Sequence, residues 1–128
     1  MRSEFRRLRE RTIEEAPNFS AVAIHVDGRT VVELKGELDM ATAPGLAERL
    51  QRLTDGGAGP VTLDVSGLEF CDSSGLAVLV EAQRRGRARG VTVALRSPSR
   101  ALRRLLGVTH LEDLLERDGT ADRDGPSP

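Results

Sequence analysis

Aromatic residues are nearly absent from this sequence of 128 residues, which contains three Phe and neither Trp nor Tyr. Proteins that bind single-stranded nucleic acid stack the bases on aromatic side chains, so this composition argues against that function. Nineteen basic and 20 acidic residues give a net charge of -1, and hence no general attraction to nucleic acid or anionic lipid. We therefore expect an aliphatic core and no direct contact with nucleic acid or membrane.

Cysteine is equally scarce, because Cys71 is the only one in the chain. A single thiol forms no internal disulfide and no cysteine-based metal cluster, and it suits a reducing compartment. The N-terminal segment MRSEFRRLRERTIEEA is charged where a signal peptide would be apolar, and the longest aliphatic run, LAVLV, is too short to span a bilayer. No glycine-rich phosphate-binding loop is present either. We expect a cytoplasmic protein without metal or cofactor.

The length and the charge pattern predict one domain, at residues 20–116, with a tail at each end. Residues 1–19 are dense in charge, and we expect a solvated extension there, with a short docking helix carrying Phe5 and Leu8 as the alternative. Residues 117–128 are polar and contain Gly and Pro, so we expect them to be disordered.

The pattern within the domain changes period several times. AVAIHV and TVVELK are strand-like and flank Asp27-Gly28, which is typical of a hairpin turn, so they predict an antiparallel pair. Thr42 and Ser97 are predicted N-caps of the first and third helices, each with a proline in the first turn, and the second helix is predicted from Ser73 onward. The inner face of the third helix is expected to carry Ala101, Leu102, Leu105 and Leu106.

VTLDV and VTVAL are short β-branched runs that predict buried strands between the helices. The predicted fold class is therefore α/β. We expect a mixed β-sheet that opens with an antiparallel hairpin and continues with alternating helices and strands, with the helices packed on the sheet.

The segment CDSSG joins one of these strands to the second helix. Ligands and modifications are common where a strand ends and a helix begins. Asp72 or Ser73 would cap the helix, and a phosphate on Ser73 would lie where the helix dipole favours negative charge. From these residues alone two interpretations remain: a cap without further role, and a serine presented for modification.

Three segments in register resemble the STAS domain of bacterial anti-sigma factor antagonists: GELD at 36–39, VTLDVSGLEFCDSSGLAVLVEA at 61–82 and SPSRALRRLL at 97–106. The resemblance implies that Ser73 is phosphorylated by a partner anti-sigma factor, which is an ATP-dependent serine kinase. By position, it also implies that four residues belong to the partner-binding edge, namely Asp39, Asp72, Ser74 and Gly75.

The mechanism implied by the resemblance is partner switching. The unmodified protein binds the anti-sigma kinase and frees a sigma factor, and the phosphorylated form releases the kinase until a protein phosphatase acts. A phosphate adds about -1.5 to -2 charges beside Asp72, which is a sufficient physical reason for release. The alternative is a STAS scaffold or sensor module that binds other signalling proteins without a phosphorylation cycle. We expect a monomer or a weak homodimer.

The resemblance is incomplete near the C-terminal end. Members of the family usually have another amphipathic helix after Leu115, and in this sequence that helix looks missing or vestigial. His110 stands where a small residue such as Gly is common, and we expect it to adopt a left-handed conformation.

An enzyme is the remaining class to consider. It would use Ser73 as nucleophile with His25 or His110 as base, oriented by Asp39 or Asp72. The sequence lacks the Gly-x-Ser-x-Gly elbow that such a serine needs, so we expect no catalytic activity.

Two features keep two interpretations each. Gly75 either leaves room for the backbone of a partner or tolerates a tight turn. From Arg84 to Arg104, eight arginines occur with no acidic residue among them. They form either a basic face that complements an acidic partner or attracts the phosphate groups of a nucleotide, or a solvated surface that suits the end of a helix.

Overall fold

The computed structural model describes residues 9–57 and 59–115. In these residues the elements are β1 (Arg9–Ala16), β2 (Phe19–Val26), β3 (Arg29–Leu38), α1 (Ala43–Asp55), β4 (Val61–Cys71), α2 (Ser73–Ala88), β5 (Val93–Arg96), α3 (Arg100–Val108) and a 3₁₀ helix (Glu112–Leu114). The strands form one sheet in chain order. β1, β2 and β3 are antiparallel neighbours, whereas β3, β4 and β5 are parallel. The predicted α/β class and mixed sheet are confirmed.

The hairpin of β2 and β3 turns at Asp27 and Gly28, whose φ angles are 53° and 78°. Two successive left-handed residues are what a two-residue hairpin turn of the favoured twist requires. Helices α1 and α2 provide the two parallel connections and pack against each other. Their apolar faces and alternate strand residues form an aliphatic core, in which the largest fully buried side chains are Leu34, Leu38, Leu46, Leu63, Leu79, Leu95, Leu106 and Leu114.

Residues 9–16 correct the expectation of a solvated extension or docking helix, because they form the edge strand β1. Only Ile13 and Ala16 pack against the core, and Glu14 accepts a hydrogen bond from Arg49 of α1 at 3.3 Å. The charge density was misleading because an edge strand is held by backbone hydrogen bonds to its neighbour. Its exposed side chains can be charged, and such charges discourage pairing with other chains.

Two other terminal predictions lie outside the described residues. These are the disordered tail at 117–128 and the missing final helix after Leu115. Residues 1–8 also lie outside them. His110 has a φ angle of 58°, which confirms its expected left-handed conformation.

The third helix begins two residues later than predicted. Its N-cap is Ser99, whose hydroxyl accepts a hydrogen bond from the Leu102 amide at 3.1 Å. Ser97 instead has a φ angle of 61° and turns the chain out of β5, so the helix can start only after that turn. Leu102 and Leu106 are buried as expected, but Ala101 is exposed.

Acidic residues from elsewhere in the chain neutralise half of the arginine-rich stretch. Asp55, at the end of α1, pairs with Arg85 of α2 at 3.4 Å and with Arg89, the C-cap of α2, at 2.6 Å. Two further pairs join Arg84 to Glu81 and Arg96 to Asp64, at 3.8 and 3.6 Å. These pairs favour the solvated-surface interpretation for the end of α2.

Candidate functional site

The carboxyl ends of β3 and β4 lie side by side. Leu38 is the register partner of Cys71, and the amide of Asp72 donates to the carbonyl oxygen of Leu38 at 3.2 Å. Asp39 and Asp72 follow these two paired residues directly. They therefore lie at the same edge of the sheet, although they are 33 positions apart in the sequence.

Asp72 is the N-cap of α2, and Ser73 and Ser74 are the first two residues of the helix. The Asp72 backbone is extended, and its carboxylate Oδ1 accepts a hydrogen bond from the Gly75 amide at 2.9 Å. The amides of Ser73 and Ser74 have no intrahelical acceptor, as at every helix start. Ser73 is exposed and Ser74 is half-buried. The turn thus presents one exposed serine side chain beside a carboxylate.

The structure gives Gly75 a role that neither interpretation of the sequence included. It is buried, and its φ angle is not in the left-handed region. A Cβ at this position would lie 2.7 Å from both Cγ and the carbonyl oxygen of Leu38, and 3.1 Å from Cys71 Sγ. The missing side chain therefore makes room for the end of β3. It lets the start of α2 pack directly on the sheet.

The carboxylate of Asp39 organises the start of α1. Its Oδ1 accepts hydrogen bonds from the amides of Ala41 and Thr42, at 3.0 and 3.1 Å, and lies 3.2 Å from the Thr42 hydroxyl. Thr42 occupies the predicted N-cap position, but its hydroxyl does not cap the helix. It donates to the carbonyl oxygen of Glu37 at 3.0 Å. Asp39 thus has a structural role that the sequence did not reveal.

Gly36 explains why the GELD segment begins with glycine. Its φ angle is 97°, and a Cβ there would collide with the carbonyl oxygen of Asn18 in the turn between β1 and β2. The amide of Glu37 donates to that same oxygen at 2.8 Å. The glycine lets the first turn approach β3 closely, which fixes the path of the chain towards Asp39.

Cys71 is half-buried between these elements. Burial, and then the charge of Asp72, raises the pKa of its thiol to about 11. The Cys71 thiol lies 3.6 Å from the carbonyl oxygen of Asp72 and donates to it. At neutral pH the side chain is therefore a protonated thiol, which is a poor nucleophile.

The residues of the hypothetical catalytic triad do not all come together. His25 bonds the Thr30 hydroxyl at 2.9 Å, and Thr30 is the register partner of Val61 at the start of β4. Ser73 follows the end of β4, so the length of that strand, about 30 Å, separates it from His25. Among residues 9–57 and 59–115, no cluster of His, Cys, Asp or Glu has the grouping of metal ligands. No helix in that part of the chain is both long and apolar enough to cross a membrane.

Two exposed apolar residues at this edge were missed by the sequence reasoning. Met40 follows Asp39 and is 74% exposed, and Phe70 precedes Cys71 and is 51% exposed. Their position in the sequence could have identified them, since each is a large apolar residue next to a polar motif at the end of a strand. They give the edge an apolar component beside the acidic one.

Comparisons with known proteins agree with this architecture. A family model described as Mlab, STAS domain, matches residues 22–116. The anti-sigma-B factor antagonist of Bacillus subtilis (strain 168) is 32% identical over 85 residues, which are 66% of this chain and 77% of that protein. The crystal structure of an anti-sigma factor antagonist from Mycobacterium paratuberculosis is similar with a TM-score of 0.66 and 30% identity, covering 80% of this chain and 87% of that one.

A third similarity is to SpoIIAA of Bacillus in its phosphorylated form. The TM-score is 0.60 at 20% identity, and the match covers 90% of this chain and 98% of that one. At this level of identity the similarity shows the fold alone.

Proposed function

Because the chain belongs to the STAS-domain family of bacterial anti-sigma factor antagonists, we propose that it acts by binding an anti-sigma factor that is a serine kinase. In this proposal the unphosphorylated protein holds the kinase and so frees a sigma factor. The kinase ends its own sequestration by phosphorylating Ser73, and a protein phosphatase restores the binding form.

The observation that carries the proposal is the exposure of Ser73 at the first position of α2. A kinase must bring the serine hydroxyl to the γ-phosphate of ATP, which requires a side chain that projects from the surface. Ser74 is half-buried and less accessible. SpoIIAA, which has this fold, has been solved in both an unphosphorylated and a phosphorylated form, which supports the compatibility of the fold with a phosphate.

Within the chain, a phosphate on Ser73 is tolerable. The free amides at the start of α2 and the helix dipole favour an anion there, so the fold need not change on modification. The Asp72 carboxylate opposes the phosphate, but it is already bound to the Gly75 amide. The switch therefore acts on the partner and not on the fold.

At a contact with the kinase, by contrast, the phosphate on Ser73 would be unfavourable. A surface complementary to a serine hydroxyl and one carboxylate would have to accommodate about -1.5 to -2 additional charges. Desolvating an uncompensated anion costs several kcal/mol, and each 1.4 kcal/mol weakens binding about tenfold. A tight complex would thus become a weak one through a single covalent step.

The test is to mix the purified protein with the purified anti-sigma kinases of the same genome and ATP, and to map the modified residue by mass spectrometry. Ser73→Ala should abolish modification and keep binding, and Ser73→Asp should weaken binding at least about tenfold. Ser74→Ala removes the neighbouring hydroxyl and should still be modified, at Ser73.

Two outcomes would contradict the proposal. One is modification of the Ser73→Ala variant, and the other is binding of Ser73→Asp as tightly as the wild type. The scaffold alternative makes a different prediction, because it requires partner binding that is equal for both Ser73 variants and independent of ATP.

A further inference from the structure

A groove lies beside the serine turn, between β4 and α3. Strand β5 pairs with β4 only from Val61 to Asp64, so within the described residues the later part of β4 has no strand on that side. Helix α3 lies there instead and leaves a cavity of about 240 Å³. Leu68, Phe70 and Cys71 line it from the strand together with the exposed Glu69, and Ala101, Leu102 and Leu105 line it from the helix together with its N-cap, Ser99.

The groove is open, and six of its eight lining residues are apolar. Phe70 is 51% exposed, Ala101 is exposed and Leu105 is half-buried. Ala101 and Leu105 are four residues apart, so they lie on one face of α3 as a stripe along the groove. Exposed apolar surface rimmed by polar residues marks interaction sites, and aromatic side chains are enriched in them. Phe70 is one of only three aromatic residues in the chain.

The helix side of the groove is basic. Among the described residues, the exposed Arg100, Arg103 and Arg104 of α3 have no ion pair, unlike the arginines that pair with Asp55, Glu81 and Asp64. At about 100° per residue, Arg104 is about 60° from Ala101 around the helix and so borders the groove. The groove therefore offers an apolar floor with unpaired positive charge along its helix rim, while Glu69 lies on the strand side.

The groove is also continuous with the candidate site. Cys71 lines the groove, and the next two residues of the chain are Asp72 and Ser73. A protein that covers Ser73 closely enough to phosphorylate it would meet the groove within the same contact. Its surface must complement both features.

We propose that this groove is a second contact surface for the anti-sigma factor. It receives a partner segment that carries a large apolar side chain flanked by carboxylates, with the apolar side chain against Phe70 and a carboxylate facing Arg104. This inference rests on the proposed function and deepens it. The groove supplies affinity and selects the partner, and the serine turn supplies the switch.

The experiment uses the full chain and a purified anti-sigma kinase that binds the wild type, with dissociation constants measured by calorimetry. Ala101→Glu should weaken binding at least about tenfold, because it places a bulky negative charge in the groove, whereas Ala101→Lys should weaken it much less. Ala101 is exposed, so neither variant disturbs the core, and thermal unfolding confirms this. Phe70→Ser, which truncates the aromatic side chain, should weaken binding by a similar factor.

A charge reversal with a matched control tests the basic rim. Arg104→Glu should weaken binding several-fold at low salt, and the difference should shrink as salt is added. Arg87→Glu, at an exposed arginine of α2 that also has no ion pair in the described part of the chain, should bind like the wild type.

The outcomes separate this inference from the proposed function. If the wild type binds and Ser73→Asp releases the kinase, but Ala101→Glu and Phe70→Ser bind like the wild type, the groove inference alone is overturned. Equal loss for Ala101→Glu and Ala101→Lys would overturn the acidic chemistry assigned to the partner. If the wild type binds no anti-sigma kinase, both proposals fail together.

Discussion

Replacing Gly75 with alanine tests how α2 is held against the sheet. The new Cβ would be built 2.7 Å from Cγ and from the carbonyl oxygen of Leu38, and 3.1 Å from Cys71 Sγ. Non-bonded carbon atoms need about 3.5–4.0 Å. The Leu38 oxygen belongs to the backbone of β3 and cannot rotate away, so the start of α2 must move outward.

The magnitude follows from opposing terms. Alanine in place of glycine favours a helix by about 1 kcal/mol. Overpacking costs about 1–3 kcal/mol. Moving the helix also lengthens the 2.9 Å bond from the Gly75 amide to the Asp72 carboxylate, and such an N-cap bond contributes about 1 kcal/mol. We expect Gly75→Ala to lower the free energy of unfolding by about 1–2 kcal/mol, or the Tm by about 3–8 °C.

Gly107→Ala is the matched control, because Gly107 is also in a helix but has space around it. Within residues 9–57 and 59–115, the only atom near its added Cβ, apart from the helix itself, is Glu112 Oε2 at 3.7 Å. This variant should raise the free energy of unfolding by about 0.5–1 kcal/mol. Urea and thermal unfolding, followed by circular dichroism, measure both changes. A Gly75→Ala variant as stable as Gly107→Ala would refute the packing argument.

Asp39→Ala removes an acceptor shared by the turn at the start of α1, so the free energy of unfolding in urea should fall by about 1–2 kcal/mol. Asp39→Asn keeps an acceptor oxygen and should stay within about 0.5 kcal/mol of the wild type, and equal loss in both variants would contradict the role of Asp39 in the turn. The pKa of His25 is lowered by burial and by the charges of Arg11 and Arg9. The unfolded state therefore binds the proton more readily, and stability should fall as the pH decreases below about 6.5. His25→Gln should remove this part of the pH dependence, as unfolding measured across pH would show; identical profiles for His25→Gln and the wild type would contradict the role of His25.

Much of the fold could be predicted because its signals are local. Asp27-Gly28 specifies a hairpin turn through its own backbone preferences, and leucine spacing marks the buried faces of the helices. The start of α2 was also predicted, because an N-cap such as Asp72 acts within its own turn. The start of α3 was misplaced, since Ser97 and Ser99 are both plausible caps and only the path out of β5 selects between them.

The candidate site was predictable as a segment but not as a surface. Ser73 and its neighbours were identified from the sequence, whereas the groove involves residues of β4 and α3 that are about 30 positions apart. The position of Ala101 in the groove contradicts the inner-face assignment, because the short strand β5 leaves room beside the helix. The charge pattern of the arginine-rich stretch left two interpretations open, because Asp55 reaches Arg85 and Arg89 only through the packing of α1 on α2.

The sequence by itself determined which segments are helices and strands within the predicted domain, which serine begins a helix, and that the core is aliphatic. These properties depend on side-chain periodicity and backbone preference, which act over a few residues. Only the tertiary structure decided that charged residues 9–16 complete the sheet, that Gly75 accommodates β3, and that Asp39 and Asp72 share one edge. These depend on which strands become neighbours, and pairing of that kind joins residues that no local pattern relates.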